Sequence, residues 1–257
     1  MSDPRVTPDP ALVSQQTAAQ VSKSVVDLCR SPAGPRDRQL IYGDTLRILS
    51  AQDDWPYVQA DKDGYCGYVA AGTLTKPVDA THQVNTPATH AYRDPDFKSP
   101  DLMSLTFGSC VLVSDQIGRF AQTPLGYIPL GHLCPSPLTL DDPAAVAVVF
   151  LGTPYLWGGN SRWGIDCSGL IQAALLACGI PCPGDSDMQM TLGEEATGSY
   201  RRNDLLFWKG HVALVTGPDM LIHANASAMA TVYEPITTAI ERIAGQGDGP
   251  VTAHRRL

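Results

Sequence analysis

The sequence lacks several features that would each place a protein in a definite class. It has no run of about 18 apolar residues, so we expect no membrane-spanning helix and no membrane partner. The start, Met1 to Pro10, shows no charged stretch followed by an apolar core, which predicts a protein without a secretory leader. Positive charge is also scarce. The 18 Lys and Arg face 26 Asp and Glu, and the net charge of -8 argues against nucleic acid as a partner.

Cysteine is present, but it lacks the spacing of a metal site. The seven cysteines are an odd number, and Cys178 and Cys182 form a Cys-x3-Cys pair that has no second matching pair. We therefore expect no zinc and no other cofactor. Without a predicted leader, reduced thiols in the cytoplasm are the simplest interpretation of this usage.

Three regions differ in their residue patterns. Residues 1–24 predict an N-terminal arm with a short helix from Pro10 to Ser22. Residues 25–77 and 82–135 are β-rich, because short alternating runs are broken there by Gly, Pro and Asp. Residues 139–257 combine a helical pattern with several strand patterns, which predicts an α+β domain.

The two β-rich segments resemble each other. Gly67 to Leu74 aligns with Gly126 to Leu133, and Tyr42 to Asp44 aligns with Phe107 to Ser109. A repeat of this length with several short strands predicts a small β-barrel that occurs twice. Each segment resembles a bacterial SH3-like domain, and the first does so more closely because the second lacks a counterpart of Trp55.

Cys167 lies where a glycine-rich approach meets an apolar helix predicted from Ser168 to Cys178. The N–H groups of a helix's first turn and the positive end of its dipole favour a thiolate, so this cysteine is a candidate nucleophile. His211 and His223 follow on predicted strands. A cysteine followed by two histidines is the order of a papain-like hydrolase, in which His211 would be the base and His223 would orient it. The backbone N–H of Cys167 is a candidate oxyanion donor.

These residues belong to a longer pattern of sequence blocks. The blocks are Pro154-Tyr155-x-Trp157-Gly158-Gly159, Asp166-Cys167-Ser168-Gly169-Leu170, Asp204-Leu205-Leu206-Phe207, His211-Val212-Ala213 and His223-Ala224. In this order they resemble the NlpC-type family of bacterial cell-wall cysteine peptidases. The resemblance implies a papain-like fold, with Cys167 as nucleophile, His211 as base and His223 as the orienting third residue. It also implies cleavage of murein peptides, commonly at the bond between D-γ-glutamate and a diamino acid.

Two SH3-like segments before such a domain resemble the γ-D-glutamyl-L-diamino acid endopeptidases of murein recycling. That resemblance implies a cytoplasmic enzyme that acts on free peptides with an unblocked L-Ala and releases L-Ala-γ-D-Glu. The first SH3-like domain would wall off the substrate cleft. It also implies a set of substrate contacts, which are Asp166, Ser168, Tyr155, Trp157, Asp44, Tyr65, Asp185 and Ser186.

Of these contacts, Asp166, Asp44 and Tyr65 would receive the free amine, and Ser168 and Tyr155 would hold the γ-D-glutamyl unit. The sequence departs from the family at Gly184, where Arg is usual, and Arg162 is a candidate replacement.

Plain structural interpretations stay open beside these roles. Asp166 can be a helix N-cap, Asp44 a turn residue and Tyr65 a barrel aromatic. The remaining contacts can be loop-packing or capping residues. Alternatives for the whole chain are a secreted endopeptidase of intact peptidoglycan, a non-catalytic wall-peptide-binding protein, or an acyltransferase on the same scaffold. The oligomeric state is left open.

Overall fold

In the computed structural model, which describes residues 3–50 and 54–257, β-strands fill the first part of the chain and the α-helices follow residue 142. Contacts divide the chain after Leu138 into two units, residues 1–138 and 139–257. Met1 and Ser2 of the predicted arm lie outside the described residues. None of the described helices is both long and apolar enough to cross a membrane.

The first barrel is built from strands that pair antiparallel in the order β3-β2-β6-β5-β4-β1-β7. Its core is aliphatic, with Leu46 and Val58 fully buried. A single turn of 3-10 helix, Ala71–Thr73, precedes the last strand. The strands are β1 (Thr17–Val21), β2 (Val25–Cys29), β3 (Arg36–Ile41), β4 (Thr45–Ser50), β5 (Tyr57–Ala60), β6 (Cys66–Tyr68) and β7 (Leu74–Thr75).

The helix predicted from Pro10 to Ser22 is wrong, because this segment contains strand β1. Thr17 pairs with Ile48 and Ala19 pairs with Leu46 of β4. Ala19 is buried in the barrel core, so pairing and burial outweigh the helical propensity of the alanines and glutamines in this segment. The barrel therefore begins before the predicted boundary at residue 25.

The second β-rich segment repeats local features of the first. Gly43 and Gly108 both have a positive φ, 88° and 82°, immediately before the residue that leads into β4 or β11. Each segment also ends in strand, 3-10 turn and strand, the turn being Leu130–His132 here. Its strands form sheets ordered β10-β9-β14-β13-β12 and β11-β8-β15. They are β8 (His82–Val84), β9 (Ala88–Tyr92), β10 (Asp101–Thr106), β11 (Cys110–Val111), β12 (Asp115–Ile117), β13 (Phe120–Thr123), β14 (Gly126–Pro129) and β15 (Leu133–Pro135).

The second unit, in which every residue is described, combines four α-helices with an antiparallel sheet ordered β18-β23-β19-β20-β21-β22. It covers the same residues as the predicted α+β domain. The elements are α1 (Pro143–Val148), β16 (Asn160–Ser161), β17 (Gly164–Ile165), α2 (Cys167–Ala177), α3 (Ser186–Gln189), β18 (Glu194–Glu195), β19 (Leu205–Trp208), β20 (His211–Gly217), β21 (Met220–Asn225), β22 (Ala230–Pro235), α4 (Ile236–Gln246) and β23 (Ala253–Arg256).

Two helices of this unit, α2 and α4, pack against the sheet. Helix α2 packs against β20 and β21, and α4 packs against β22. The apolar side of α4, including Ile236, Ala239 and Ile243, joins Leu206 and Leu221 of the sheet in one buried cluster. Burial of this aliphatic surface fixes the strands that carry the two histidines relative to α4.

Candidate active site

Cys167 is the first residue of α2 and is 7% exposed. The backbone N–H groups of Cys167, Ser168 and Val212 lie near enough to the sulfur to lower the pKa of the thiol, although burial outweighs them. Val212 directly follows His211 in β20, so its contact with the sulfur brings the predicted nucleophile to the start of the strand that carries the predicted base. The Cys167 N–H remains a suitable donor for an oxyanion at this position.

Asp166 is the N-cap of α2 and is almost fully buried. One carboxylate oxygen accepts hydrogen bonds from the Gly169 N–H (2.7 Å) and the Ser168 hydroxyl (3.0 Å). The other accepts from the Gly158 N–H (2.8 Å). The capping role of Asp166 is therefore present, and Ser168 donates to Asp166 rather than pointing away from it. Both predicted contacts are held rigidly beside Cys167.

Glycines allow the approach loop to close on α2. Gly158 has φ +69°, a left-handed conformation that places its N–H on Asp166. A Cβ atom at Gly169 would lie 2.4 Å from the carbonyl oxygen of Gly159. This close approach explains in physical terms why the motif has glycine on both sides of the cysteine.

The two predicted catalytic histidines are in direct contact. His211 Nε2 lies 2.9 Å from His223 Nδ1, and His223 is completely buried. The His211 ring also packs against Trp208, at 5.8 Å between ring centroids. The hydrogen bond fixes the His211 ring through one nitrogen and leaves the other, Nδ1, for a proton from the thiol.

Two residues that the sequence analysis did not single out complete this cluster. Glu234 Oε2 lies 2.9 Å from His223 Nε2, and Arg242 binds the same carboxylate through Nε (2.9 Å) and Nη2 (2.7 Å). They come from β22 and α4. Because partners on different elements have no fixed spacing in a sequence, only the fold shows them.

Burial controls the charge state of the cysteine and the histidines. It raises the pKa of the Cys167 thiol to about 12, and the neighbouring Asp166 carboxylate acts in the same direction. Burial lowers the pKa of His211 to about 3 and that of His223 to about 4. Desolvation thus opposes the thiolate that the helix N-terminus was expected to favour, and both shifts favour thiol and imidazole in the resting enzyme.

The other predicted contacts of this unit differ in placement. Tyr155 is half-buried, and its pKa is raised by burial and then by the charges of Cys167 and Asp166, so it lies within electrostatic range of both. Trp157 is 69% exposed and lies largely in solvent.

Asp185 and Ser186 lie at the start of α3, which is held against the first turn of α2. Gln189, which the sequence analysis also did not single out, is fully buried and donates from Nε2 to the carbonyl oxygens of Ser168 (3.0 Å) and Pro183 (2.9 Å). The loop that contains Asp185 and Ser186 is thereby anchored next to Ser168. Their substrate contacts stay predictions.

Arg162, the candidate replacement for the missing family arginine, is anchored within its own loop region. Its Nη1 donates to the Leu151 carbonyl (3.0 Å) and the Thr153 hydroxyl (2.6 Å). A substrate carboxylate would have to bind the other nitrogens of this guanidinium. Its replacement role stays a prediction.

Asp44 and Tyr65 belong to the first unit, where each has a structural partner. Asp44 forms an ion pair with Lys62 (2.7 Å) and accepts a hydrogen bond from the Ile41 N–H (2.9 Å). Tyr65 is 3% exposed in the barrel core, with the Arg38 guanidinium 5.8 Å from its ring centroid. These are the contacts of a turn residue and a barrel aromatic, and the amine-binding roles stay predictions.

Comparison with known proteins matches a family model to one segment in each of the two units. Residues 152–242 match the family model described as NlpC/P60 family, and residues 28–74 match the one described as bacterial dipeptidyl-peptidase Sh3 domain. A Bacillus subtilis protein named gamma-D-glutamyl-L-lysine dipeptidyl-peptidase is 29% identical over 79% of this chain and 80% of its own length. A Lysinibacillus sphaericus protein named dipeptidyl-peptidase 6 is 28% identical over 73% of this chain and 79% of its length.

A solved structure has the same fold along nearly the whole chain. The crystal structure of an NlpC/P60 family protein from Bacillus cereus covers 93% of this chain and 99% of its own, with a TM-score of 0.79 at 19% identity. The predicted papain-like domain with a preceding SH3-like region is confirmed, and so is the cysteine-type peptidase class. The second SH3-like domain stays a prediction.

Proposed function

We propose that this chain, a cysteine peptidase with an NlpC/P60 domain and a bacterial dipeptidyl-peptidase SH3 domain, cleaves free murein peptides at the γ-D-glutamyl–diamino acid bond. It would release L-Ala-γ-D-Glu and so serve cell-wall peptide recycling. The observation that carries the proposal is the buried Asp166 carboxylate, fixed beside Cys167 by three hydrogen bonds. The relatives named as γ-D-glutamyl-L-lysine dipeptidyl-peptidase support the bond that is cut.

In the proposed reaction, the Cys167 sulfur attacks the γ-carbonyl carbon of D-Glu while the thiol proton moves to His211. The backbone N–H of Cys167 stabilises the oxyanion. When the intermediate collapses, the C–N bond breaks, and His211 returns the proton to the departing amino group of the diamino acid. Water, deprotonated by His211, then hydrolyses the thioester, which frees L-Ala-γ-D-Glu and restores the thiol.

Asp166 is well suited to receive the substrate's free α-amino group. A carboxylate has about four acceptor positions, and three are filled by Gly158, Ser168 and Gly169, so one remains for an ammonium group. A charge-assisted hydrogen bond there would fix the acyl-side dipeptide relative to Cys167. Tyr155, which lies within electrostatic range of the cysteine, would contact the same part of the substrate.

The cytoplasm is the compartment that we propose for this reaction. The seven cysteines, all in described parts of the chain, are free thiols, and free thiols persist in reducing compartments. Free murein peptides that enter the cytoplasm carry the unblocked L-Ala that Asp166 would bind.

The test compares L-Ala-γ-D-Glu-L-Lys with its N-acetyl derivative as substrates, by mass spectrometry of the products. We expect free lysine and L-Ala-γ-D-Glu from the first peptide. For the blocked peptide we expect kcat/KM to be lower by at least about 100-fold, because acetylation removes the cation that Asp166 pairs with. Equal cleavage of both peptides would reject amine recognition and favour an endopeptidase of intact peptidoglycan.

A further inference from the structure

His223 Nε2 has two neighbours that require opposite protonation states. Glu234 Oε2 and Asn225 Nδ2 both lie 2.9 Å away. The Asn225 orientation is fixed because its Oδ1 accepts a hydrogen bond from the Ala228 N–H (2.8 Å), so its NH2 group faces the ring. A carboxylate requires an N–H at Nε2, whereas an amide NH2 group requires a lone pair there.

Glu234 is the stronger of the two partners. Arg242 holds the carboxylate in a bidentate pair, and its hydrogen bonds lower the pKa of Glu234. Hydrogen bonds to an ionised acceptor are about twice as strong as those between neutral groups. The proton of neutral His223 is therefore held at Nε2, toward Glu234, and Nδ1 carries the lone pair.

The tautomer of His223 determines the tautomer of the catalytic base, His211, because a hydrogen bond joins the two rings. His223 Nδ1 accepts, so His211 Nε2, 2.9 Å away, must be the donor. A neutral imidazole has one N–H, and the proton at Nε2 leaves Nδ1 of His211 as the basic nitrogen. The opposite tautomer of His223 would donate from Nδ1 and would place the His211 proton on the Nδ1 of His211. That nitrogen could then not accept the thiol proton of Cys167.

We propose that Glu234 is a positioning residue that sets the tautomers of both histidines, so that His211 presents a basic Nδ1 to Cys167. This role belongs to the peptidase reaction proposed above, and the effect of Glu234 on catalysis rests on that proposal. The charged and titratable groups around His223 are His211 from β20, Glu234 from β22 and Arg242 from α4. When His211 becomes an imidazolium during attack, the Glu234 carboxylate also stabilises that charge through His223.

The first test needs no substrate. In protein labelled with 15N at histidine, two-bond 15N–1H NMR correlations distinguish the two neutral tautomers, and His211→Gln and His223→Gln variants assign the signals. We expect both histidines to be protonated at Nε2 at neutral pH. A proton on Nδ1 of His223 would overturn the proposal, whatever substrate the enzyme cleaves.

The second test removes the carboxylate. Glu234→Ala leaves Asn225 as the remaining partner of His223 Nε2, so the His223 proton should move to Nδ1. We expect kcat for L-Ala-γ-D-Glu-L-Lys to fall by about 100-fold with KM little changed, because orientation of the base is lost and substrate binding is not. Glu241→Ala, an exposed glutamate on the same helix as Arg242, is the matched control and should retain full activity.

A folded Glu234→Ala variant that keeps the wild-type tautomers and kcat would reject the role of Glu234. Failure of the proposed function looks different. In that case the wild-type enzyme would not release lysine from the peptide, while the NMR signals would still report Nε2–H on both rings.

Discussion

Two carboxylates in the catalytic unit have nearly the same surroundings but different consequences. Glu234 Oε2 bonds His223 Nε2 at 2.9 Å, and Asp204 Oδ2 bonds His254 Nε2 at 2.6 Å. Each is also bound by an arginine through Nε and Nη2, at 2.7–2.9 Å. The domain thus contains two histidines that each bind, through Nε2, a carboxylate that an arginine also holds.

The difference lies in what else each ring contacts. His223 Nδ1 bonds His211, beside Cys167, whereas the His254 ring packs against Tyr200 at 5.2 Å between ring centroids. Asp204 binds Arg256, and thereby joins β23 to the start of β19. A carboxylate–histidine pair therefore does not by itself indicate catalysis, because its role depends on the other contacts of the ring.

Within this comparison, the largest expected difference is between variants that remove one or the other histidine. His223→Ala should lower kcat by about 10²- to 10³-fold, because the His211 ring loses the hydrogen bond that orients it. His254→Ala should keep kcat and lower the thermal midpoint of unfolding. Steady-state kinetics and calorimetry on both variants test this. Comparable losses of kcat in the two variants would contradict the distinction between a catalytic His223 and a structural His254.

A second prediction concerns Asp204, which is 1% exposed. Hydrogen bonds from Arg256 and His254 outweigh burial and lower its pKa, so the carboxylate is charged in the folded protein. Asp204→Asn should reduce the free energy of unfolding by about 3 kcal/mol, since it breaks a buried ion pair. Denaturant titration measures the loss. Unchanged stability, or a loss of kcat in the folded variant, would contradict a purely structural role.

A third prediction uses the charge state of the catalytic cluster. Because the pKa of Cys167 is raised to about 12, the thiolate fraction grows as pH rises toward that value. Alkylation of Cys167 by iodoacetamide should therefore accelerate by about tenfold per pH unit from neutral pH upward. Peptide mapping separates this cysteine from the other six. A constant rate between acidic and neutral pH would instead show a preformed thiolate–imidazolium pair.

Much of the catalytic unit could be predicted from its sequence because its signals are local. Helix α2 was expected from Ser168 to Cys178 and runs from Cys167 to Ala177, and Gly179 ends it with φ +71°. His211 and His223 were expected on strands, and they lie on β20 and β21. Glycine, capping aspartate and alternating apolar residues specify such elements without reference to the rest of the fold.

Features that depend on distant partners were missed. Strand β1 was predicted to be helical because the sequence does not show that its alanines pair with residues of β4. Glu234 and Arg242 lie on neighbouring elements, and no spacing rule links a strand carboxylate to a helix guanidinium. The effect of burial on the pKa of Cys167 was also missed, since burial is a property of the folded domain and opposes the helix dipole.

Release of lysine from L-Ala-γ-D-Glu-L-Lys by two cysteine variants tests the central claim most directly. Cys167 and Cys178 lie at opposite ends of α2, so Cys178→Ala is a matched control for Cys167→Ala. We predict that Cys167→Ala lowers kcat by at least about 1,000-fold with the fold intact, because the nucleophile is lost, and that Cys178→Ala behaves as wild type. Undiminished lysine release by Cys167→Ala would contradict the account.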